Sequence, residues 1–217
     1  MRYVDLSHEI HHEMITYKGL PAPLICDYLS REDSRPYYDG KTTFQIAKVE
    51  MVGNTGTYID CPLHRYHDGK DFCEYFVSDL ADLPGLKVHQ PFDRHLAVDV
   101  DLFQDLDVKG KAILIHTGWS KFWRKEQYFE NHPYLTADAA AYLKENQVKM
   151  VGIDSHNIDD TRSDTRPVHS ILLGADIPIV EHMSQLHLIP NQGFFFSAVP
   201  PKISGIGSFP VRAFAKF

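Results

Sequence analysis

The segment Asn54-Thr55-Gly56-Thr57-Tyr58-Ile59-Asp60-Cys61-Pro62-Leu63-His64-Arg65-Tyr66-His67-Asp68-Gly69 gathers an amide, hydroxyls, a phenol, carboxylates and imidazoles between turn-forming residues. It offers little apolar surface to bury, so these residue types point to chemistry rather than to a core. If Thr57 to Asp60 is extended, period-two geometry places Tyr58 and Asp60 on one face and Thr57 and Ile59 on the other. Pro62 then turns the chain, and His64 can swing back toward the carboxylate. A phenol and an imidazole so placed can act as acid and base, with Asp60 orienting one of them. Tyr17 and Tyr66 stand in loops flanking this segment, where a ring can lie against a flat substrate, and Asn54 offers an amide to bind it.

Such residues need a rigid frame. Thr43 to Met51 alternates with period two and predicts a strand with one buried face, running into the turn Gly53-Asn54-Thr55-Gly56. Lys111–His116 and Lys149–Asp154 are short apolar runs that suit buried central strands. Between them Thr136 can cap a helix over 137–145, with Ala139, Ala140 and Leu143 on one face. A short helical run follows over 167–173, then strands over 177–181, 194–199 and 211–217. Trp119, Phe122 and Trp123 fall at helical spacing and read as a packing face on the sheet or another subunit, or else as a substrate wall. Strands outnumber helices, which predicts a β-rich α/β domain spanning 1–217, with helices packed on a mixed sheet.

The segment from Asn54 to His64 resembles the His-x-Gly-Thr-His-x-Asp-x-Pro-x-His signature of the cyclase family, which includes bacterial kynurenine formamidases and isatin hydrolases. Gly56, Thr57, Asp60, Pro62 and His64 are in register without gaps. Thr117-Gly118-Trp119-Ser120, Tyr128-Phe129, Val151-Gly152-Ile153-Asp154, His169 ahead of Leu172-Leu173-Gly174, and Val180-Glu181 are similar to the same family, so the likeness covers most of the chain. The resemblance implies a swivelling β/β/α fold, hydrolysis of an aryl formamide, cyclic amide or lactone, and a homodimer or homotetramer. It also implies that His64 is the general acid/base and that a divalent ion activates the attacking water.

In that family two signature histidines and the aspartate hold one ion, while the aspartate, a later histidine and a glutamate 12 positions beyond it can hold a second, a spacing that His169 and Glu181 reproduce. This chain departs from the pattern at Asn54 and Tyr58, which replace the two histidine ligands. An amide oxygen is a weak ligand, and a phenol binds an ion only when ionised, against an ordinary pKa of about 10. The resemblance therefore implies one divalent metal, zinc or manganese, held by Asp60, His169 and Glu181, and more weakly than two imidazoles would hold it. Two other readings stay open: a metal-independent cyclase or dehydratase that uses Tyr58 and His64, and a non-catalytic relative that binds a small aromatic or acidic ligand.

The remaining composition excludes whole classes. With 217 residues, 43% of them hydrophobic and 24% charged, the chain can bury one sizeable core. A net charge of −7 repels nucleic acid and anionic membranes, which leaves a small molecule as the expected partner. The N-terminal residues lack the apolar core of a signal peptide, and no run approaches the length of a spanning helix. Cys26, Cys61 and Cys73 form no paired motif, and a reducing cytoplasm is expected. Gly205-Ile206-Gly207 lacks the third glycine of a dinucleotide site, and neither a serine elbow nor a phosphate-cradling loop occurs. His11, His12, His182 and His187 form no His-Glu-x-x-His motif, and most of them are read as surface histidines.

Overall fold

Ile113 and Ile115 point to one face of a sheet, Ala112 and Leu114 point to the other, and all four are fully buried. A strand covered on both faces reads as an unbroken apolar run, as Ala112–His116 does. This strand is the middle one of a nine-stranded sheet in the computed structural model, which describes residues 1–217. On one side of it lie Leu83–His89, Gln192–Ser197, Phe214–Lys216 and Tyr3–Asp5; on the other lie Met150–Ile153, Ile179–Glu181, Tyr58–Asp60 and Ser208–Pro210. The four strands from Leu83–His89 through Ile179–Glu181 pair in parallel, and the other pairings are antiparallel. The sheet is mixed, as the sequence predicts.

One face is covered by the helix Ala137–Glu145, whose Ala139, Ala140 and Leu143 pack with Ile113, Ile115, Val151 and Ile153. Thr136 caps it by accepting the Ala139 N–H at 3.2 Å, so the helix starts where the sequence places it. The shorter helix Pro167–Leu173 adds Val168, Leu172 and Leu173 to the same cluster. Leu114, Met150, Ile59 and Val180 fill the opposite face with Met183, Phe194 and Phe196. The chain therefore has apolar cover on both sides of the strands that end at the site.

Two expectations change. The strand at Ile46–Glu50 has no buried face, because its only partner is Leu24–Leu29 and this two-stranded arm stands apart from the main sheet. Trp119–Phe122 is a single 3₁₀ turn rather than a longer helix, started by Gly118 at φ 78° and held by the Trp119 indole N–H bond to Tyr128 O at 3.0 Å. All three cysteines are free, and no helix is long and apolar enough to cross a membrane.

Candidate active site

Tyr58–Asp60 lies between Ile179–Glu181 and Ser208–Pro210, and register decides what meets there. Tyr58 stands opposite Glu181 and Asp60 opposite Ser208, so each pair shares a sheet face. The Tyr58 hydroxyl donates to Glu181 Oε2, and the Ser208 hydroxyl donates to Asp60 Oδ1. Beyond the strand, Pro62–His64 forms a 3₁₀ turn closed by His64 N to Cys61 O at 2.9 Å, which returns His64 to the carboxylate. His64 Nδ1 lies 2.8 Å from Ser208 Oγ and 3.7 Å from Asp60 Oδ1.

His169 arrives from the helix Pro167–Leu173. Asp159 fixes the start of that helix, accepting Val168 N at 2.8 Å and His169 N at 3.0 Å, and binds His169 Nδ1 at 2.6 Å. With Nδ1 committed, Nε2 faces the carboxylates, 3.7 Å from both Asp60 Oδ2 and Glu181 Oε1. Three buried carboxylates, Asp60, Asp159 and Glu181, thus surround one imidazole. Burial by itself opposes charge on His169, but the Asp159 hydrogen bond and the Asp60 and Glu181 carboxylates outweigh it and raise its pKa to about 10. For Glu181, burial raises the pKa to about 7, against the lowering effect of His169. Burial, with the Glu181 charge added, holds the Tyr58 phenol well above its ordinary range.

The cluster suits a divalent cation. Asp60 Oδ2 is buried without a hydrogen-bond partner, an orphaned acceptor beside a free imidazole nitrogen. Ligand atoms of Asp60, His64 and His169 lie within 4.8 Å of one another, a carboxylate and two imidazoles of the type found in catalytic zinc sites. The set that converges thus has His64 beside Asp60 and His169. Glu181 stays next to His169, but one of its oxygens accepts from Tyr58 and the other from Ile158 N at 2.6 Å.

A cleft of about 370 Å³ opens over this cluster. Asn54, Tyr58, His64 and His169 line it together with Tyr17 and Leu20. Asn157 joins them, donating to the Tyr17 hydroxyl at 2.6 Å. Tyr66 is not part of this cleft: its hydroxyl donates to Ser170 O at 2.8 Å, and the residue borders a neighbouring depression.

Behind the cleft lies a box of rings that the sequence does not announce. His182 is completely buried, not a surface residue, with Tyr58 at 5.1 Å, Trp123 at 5.4 Å and His156 at 5.5 Å between ring centroids. His156 lies 4.3 Å from Tyr17, and His8 stacks on Trp123 at 4.1 Å. Neither ring nitrogen of His182 has a partner, and burial pushes His156 down to about 3 and His8 to about 4. These imidazoles are neutral packing rings that hold Tyr17 and Tyr58 in place. Asp159 and Ser208 also escape the sequence reading, since each is a common residue in a polar loop or an edge strand. Only the pairing of distant segments gives them meaning.

Comparison with known proteins accords with this geometry. The Cyclase family model matches residues 4–160. A kynurenine formamidase of Geobacillus thermodenitrificans is 30% identical over 171 residues, covering 77% of this chain and 78% of that protein. A structure described as a predicted metal-dependent hydrolase from Bacillus stearothermophilus is 26% identical, with a TM-score of 0.78 over 99% of this chain and 97% of its own. Isatin hydrolase A of Ralstonia solanacearum shares the fold, with a TM-score of 0.82 at 20% identity, over 99% of this chain and 91% of its own. The chain belongs to the cyclase family.

Proposed function

We propose that the protein is an arylformamidase-like hydrolase of an aryl formamide, cyclic amide or lactone, with one divalent ion in its cleft. The observation that carries this reading is the chain Asp60–Ser208–His64 beside the free nitrogen of His169. An ionised carboxylate only accepts, so the single Ser208 hydroxyl hydrogen goes to Asp60 and its oxygen accepts from His64 Nδ1–H. Nε2 of His64 then carries the lone pair, ready to take a proton from the attacking water and return it to the leaving group. Asp60 and His169 would hold the ion, with Asp159 fixing the imidazole from behind. When bound, such an ion supplies Lewis acidity that polarises the carbonyl and acidifies water. Asn54 and Asn157 at the cleft offer amide groups to the substrate.

The relatives that act as kynurenine formamidases support an aryl formamide as the first substrate to try. Formanilide turnover is expected to be lost on chelation and regained with zinc or manganese, while Tyr58→Phe retains it within about tenfold. Tyr58 donates its hydroxyl hydrogen bond to Glu181 and is 1% exposed, which leaves it poorly placed as an acid or base. Chelator-insensitive turnover that disappears in Tyr58→Phe would establish the metal-free cyclase or dehydratase instead. By calorimetric titration with zinc, His169→Gln is expected to weaken binding about tenfold or more, because it removes an imidazole ligand. Binding unchanged in that variant removes His169 from the ligand set.

Gly207 tests the placement of His64. A methyl group there would come 2.2 Å from His64 N and 2.4 Å from its Cα. Gly207→Ala is therefore expected to shift His64 and lower kcat about 10²-fold, a loss typical of a misplacement near 1 Å. Full activity in this variant would show that the placement is not critical.

The proposal extends to a homodimer or homotetramer located in the cytoplasm. The arm Leu24–Leu29 with Ile46–Glu50 supports self-association: Tyr28, Ile46 and Val49 are exposed, and a two-stranded ribbon alone is marginal in water. A second copy of the chain is the proposed cover. Sedimentation is expected to give at least twice the chain mass, falling to the monomer in Ile46→Lys with Val49→Lys.

A further inference from the structure

We infer that Arg65 and Arg166 form a carboxylate clamp, so that the substrate is an aryl compound bearing a carboxylate beside its scissile amide or ester. This deepens the hydrolase reading above and rests on it. Although the chain carries a net charge of −7, the cleft lining contains Lys18, Arg65 and Arg166 and no carboxylate. The acidic groups of the site lie beneath that lining, buried.

Lys18 is already neutralised, with Glu126 at 2.7 Å and Glu130 at 3.9 Å. The two arginines are not. Their polar contacts are with neutral oxygens, and those contacts hold them in place without compensating their charge. Arg65 Nε donates to Ser170 Oγ at 3.1 Å, and the same hydroxyl donates to Arg166 O at 3.0 Å, so one serine ties the two residues together. Arg166 Nη1 is spent on Ser163 O at 2.5 Å and Thr165 O at 2.8 Å. This leaves both terminal amino groups of Arg65, and Nε with Nη2 of Arg166, without a protein partner.

An exposed arginine is commonly just solvated, and Arg65 taken alone would be read that way. Two arginines lining the reacting cleft, the Arg65 guanidinium tied through Ser170 to the Arg166 backbone and the Arg166 guanidinium anchored on Ser163 O and Thr165 O, are a different arrangement. A guanidinium presents its donors as a planar fork that matches a carboxylate, and it does not lose its charge at any ordinary pH. Tyr17 and Leu20 supply an aromatic and an apolar surface in the same cleft. An aromatic ring with a carboxylate on its edge fits both features.

The test compares 2-formamidobenzoate with formanilide, which differ by the carboxylate, and benzoate with benzamide as unreactive probes. The wild type is expected to prefer the anion in kcat/KM by at least about tenfold, chiefly through KM, and to bind benzoate at least tenfold more tightly than benzamide. In Arg65→Met with Arg166→Met both ratios should fall toward one, the methionines keeping the apolar stems. Should that variant fold poorly, the salt dependence of the wild type decides: the benzoate Kd should rise severalfold between low and high salt while the benzamide Kd stays flat. Benzoate affinity that survives the double substitution, or equal affinity for both probes, overturns the clamp. If neither formamide is turned over while benzoate is still selected through the arginines, the clamp stands and the formamidase reading falls. If both formamides are turned over equally and the probes bind alike, the reverse holds.

Discussion

His64→Gln is expected to lower kcat for formanilide by about 10²–10⁴-fold, the usual worth of a general acid/base, while leaving zinc affinity within the same order of magnitude. The two readouts separate because His64 and His169 are held differently. His169 has its Nδ1 committed to Asp159 at 2.6 Å and its Nε2 among carboxylates, an arrangement that serves an ion. His64 has its Nδ1 committed to Ser208, which is itself committed to Asp60, and its side chain is 36% exposed at the cleft. A partly exposed imidazole that lines the cleft suits proton transfer better than structural ligation. Gln keeps the approximate length of the side chain and its amide can donate to Ser208 Oγ, but it cannot carry a proton between water and leaving group. Loss of turnover together with loss of zinc would make His64 a ligand, as its position in the trio with Asp60 and His169 permits. Retention of turnover would remove it from the reaction altogether.

A Ser208→Ala variant belongs to the same chain of reasoning. It removes the oxygen that orients His64 and the donor that satisfies Asp60 Oδ1, so it should reduce kcat less than His64→Gln does, with a small change in KM.

The sequence and the fold agree best where local physics decides the outcome. The helix Ala137–Glu145 has a cap, a spaced apolar face and polar flanks, and it forms over the residues so marked. The central strands are apolar runs that must be covered on both faces, and two helices and a curved sheet cover them. The alternation that puts Tyr58 and Asp60 on one face is equally local, as is the turn at Pro62. What stayed illegible is what depends on partners far along the chain. Ser208 acquires its role from pairing with Asp60, 148 positions away, and Asp159 from the helix that happens to begin beside it. The strand at Ile46–Glu50 has the right alternation, yet periodicity does not tell whether a second layer will cover it. His182 misleads in the opposite direction, because a polar residue next to a buried strand end is ordinarily wet and here is enclosed by rings. Tyr66 has the type expected of a substrate wall but turns to a backbone carbonyl of the neighbouring helix.

The ring box also makes the fold sensitive to acid in a way that a single substitution can isolate. His156 is buried, with its pKa pushed down from 6.5 to about 3, first by burial and then by the charges of His132 and Lys18. A base depressed in the folded state contributes stability that is fully present above its unfolded pKa and is lost as pH falls toward the folded value, here from about 6.5 toward 3. Between pH 7 and pH 5 the loss from His156 amounts to about 2 kcal/mol. Groups with raised values act in the opposite sense: Glu181 at about 7 and Asp154 at about 6, both raised by burial, take up protons more readily when folded and gain stability over the same range. The total pH profile is therefore a sum of opposed terms, and its slope alone identifies no residue. His156→Phe cancels the shared terms. A phenyl ring suits a position bordered by Tyr17 at 4.3 Å, Phe129 at 5.3 Å and Tyr128 at 5.7 Å, and it does not titrate. In urea unfolding with chelator present, the stability of the variant relative to the wild type should move by about 2 kcal/mol in the variant's favour from pH 7 to pH 5. A difference that stays constant with pH would mean that His156 accepts its proton in place, and that the box behind Tyr17 opens to water at no cost.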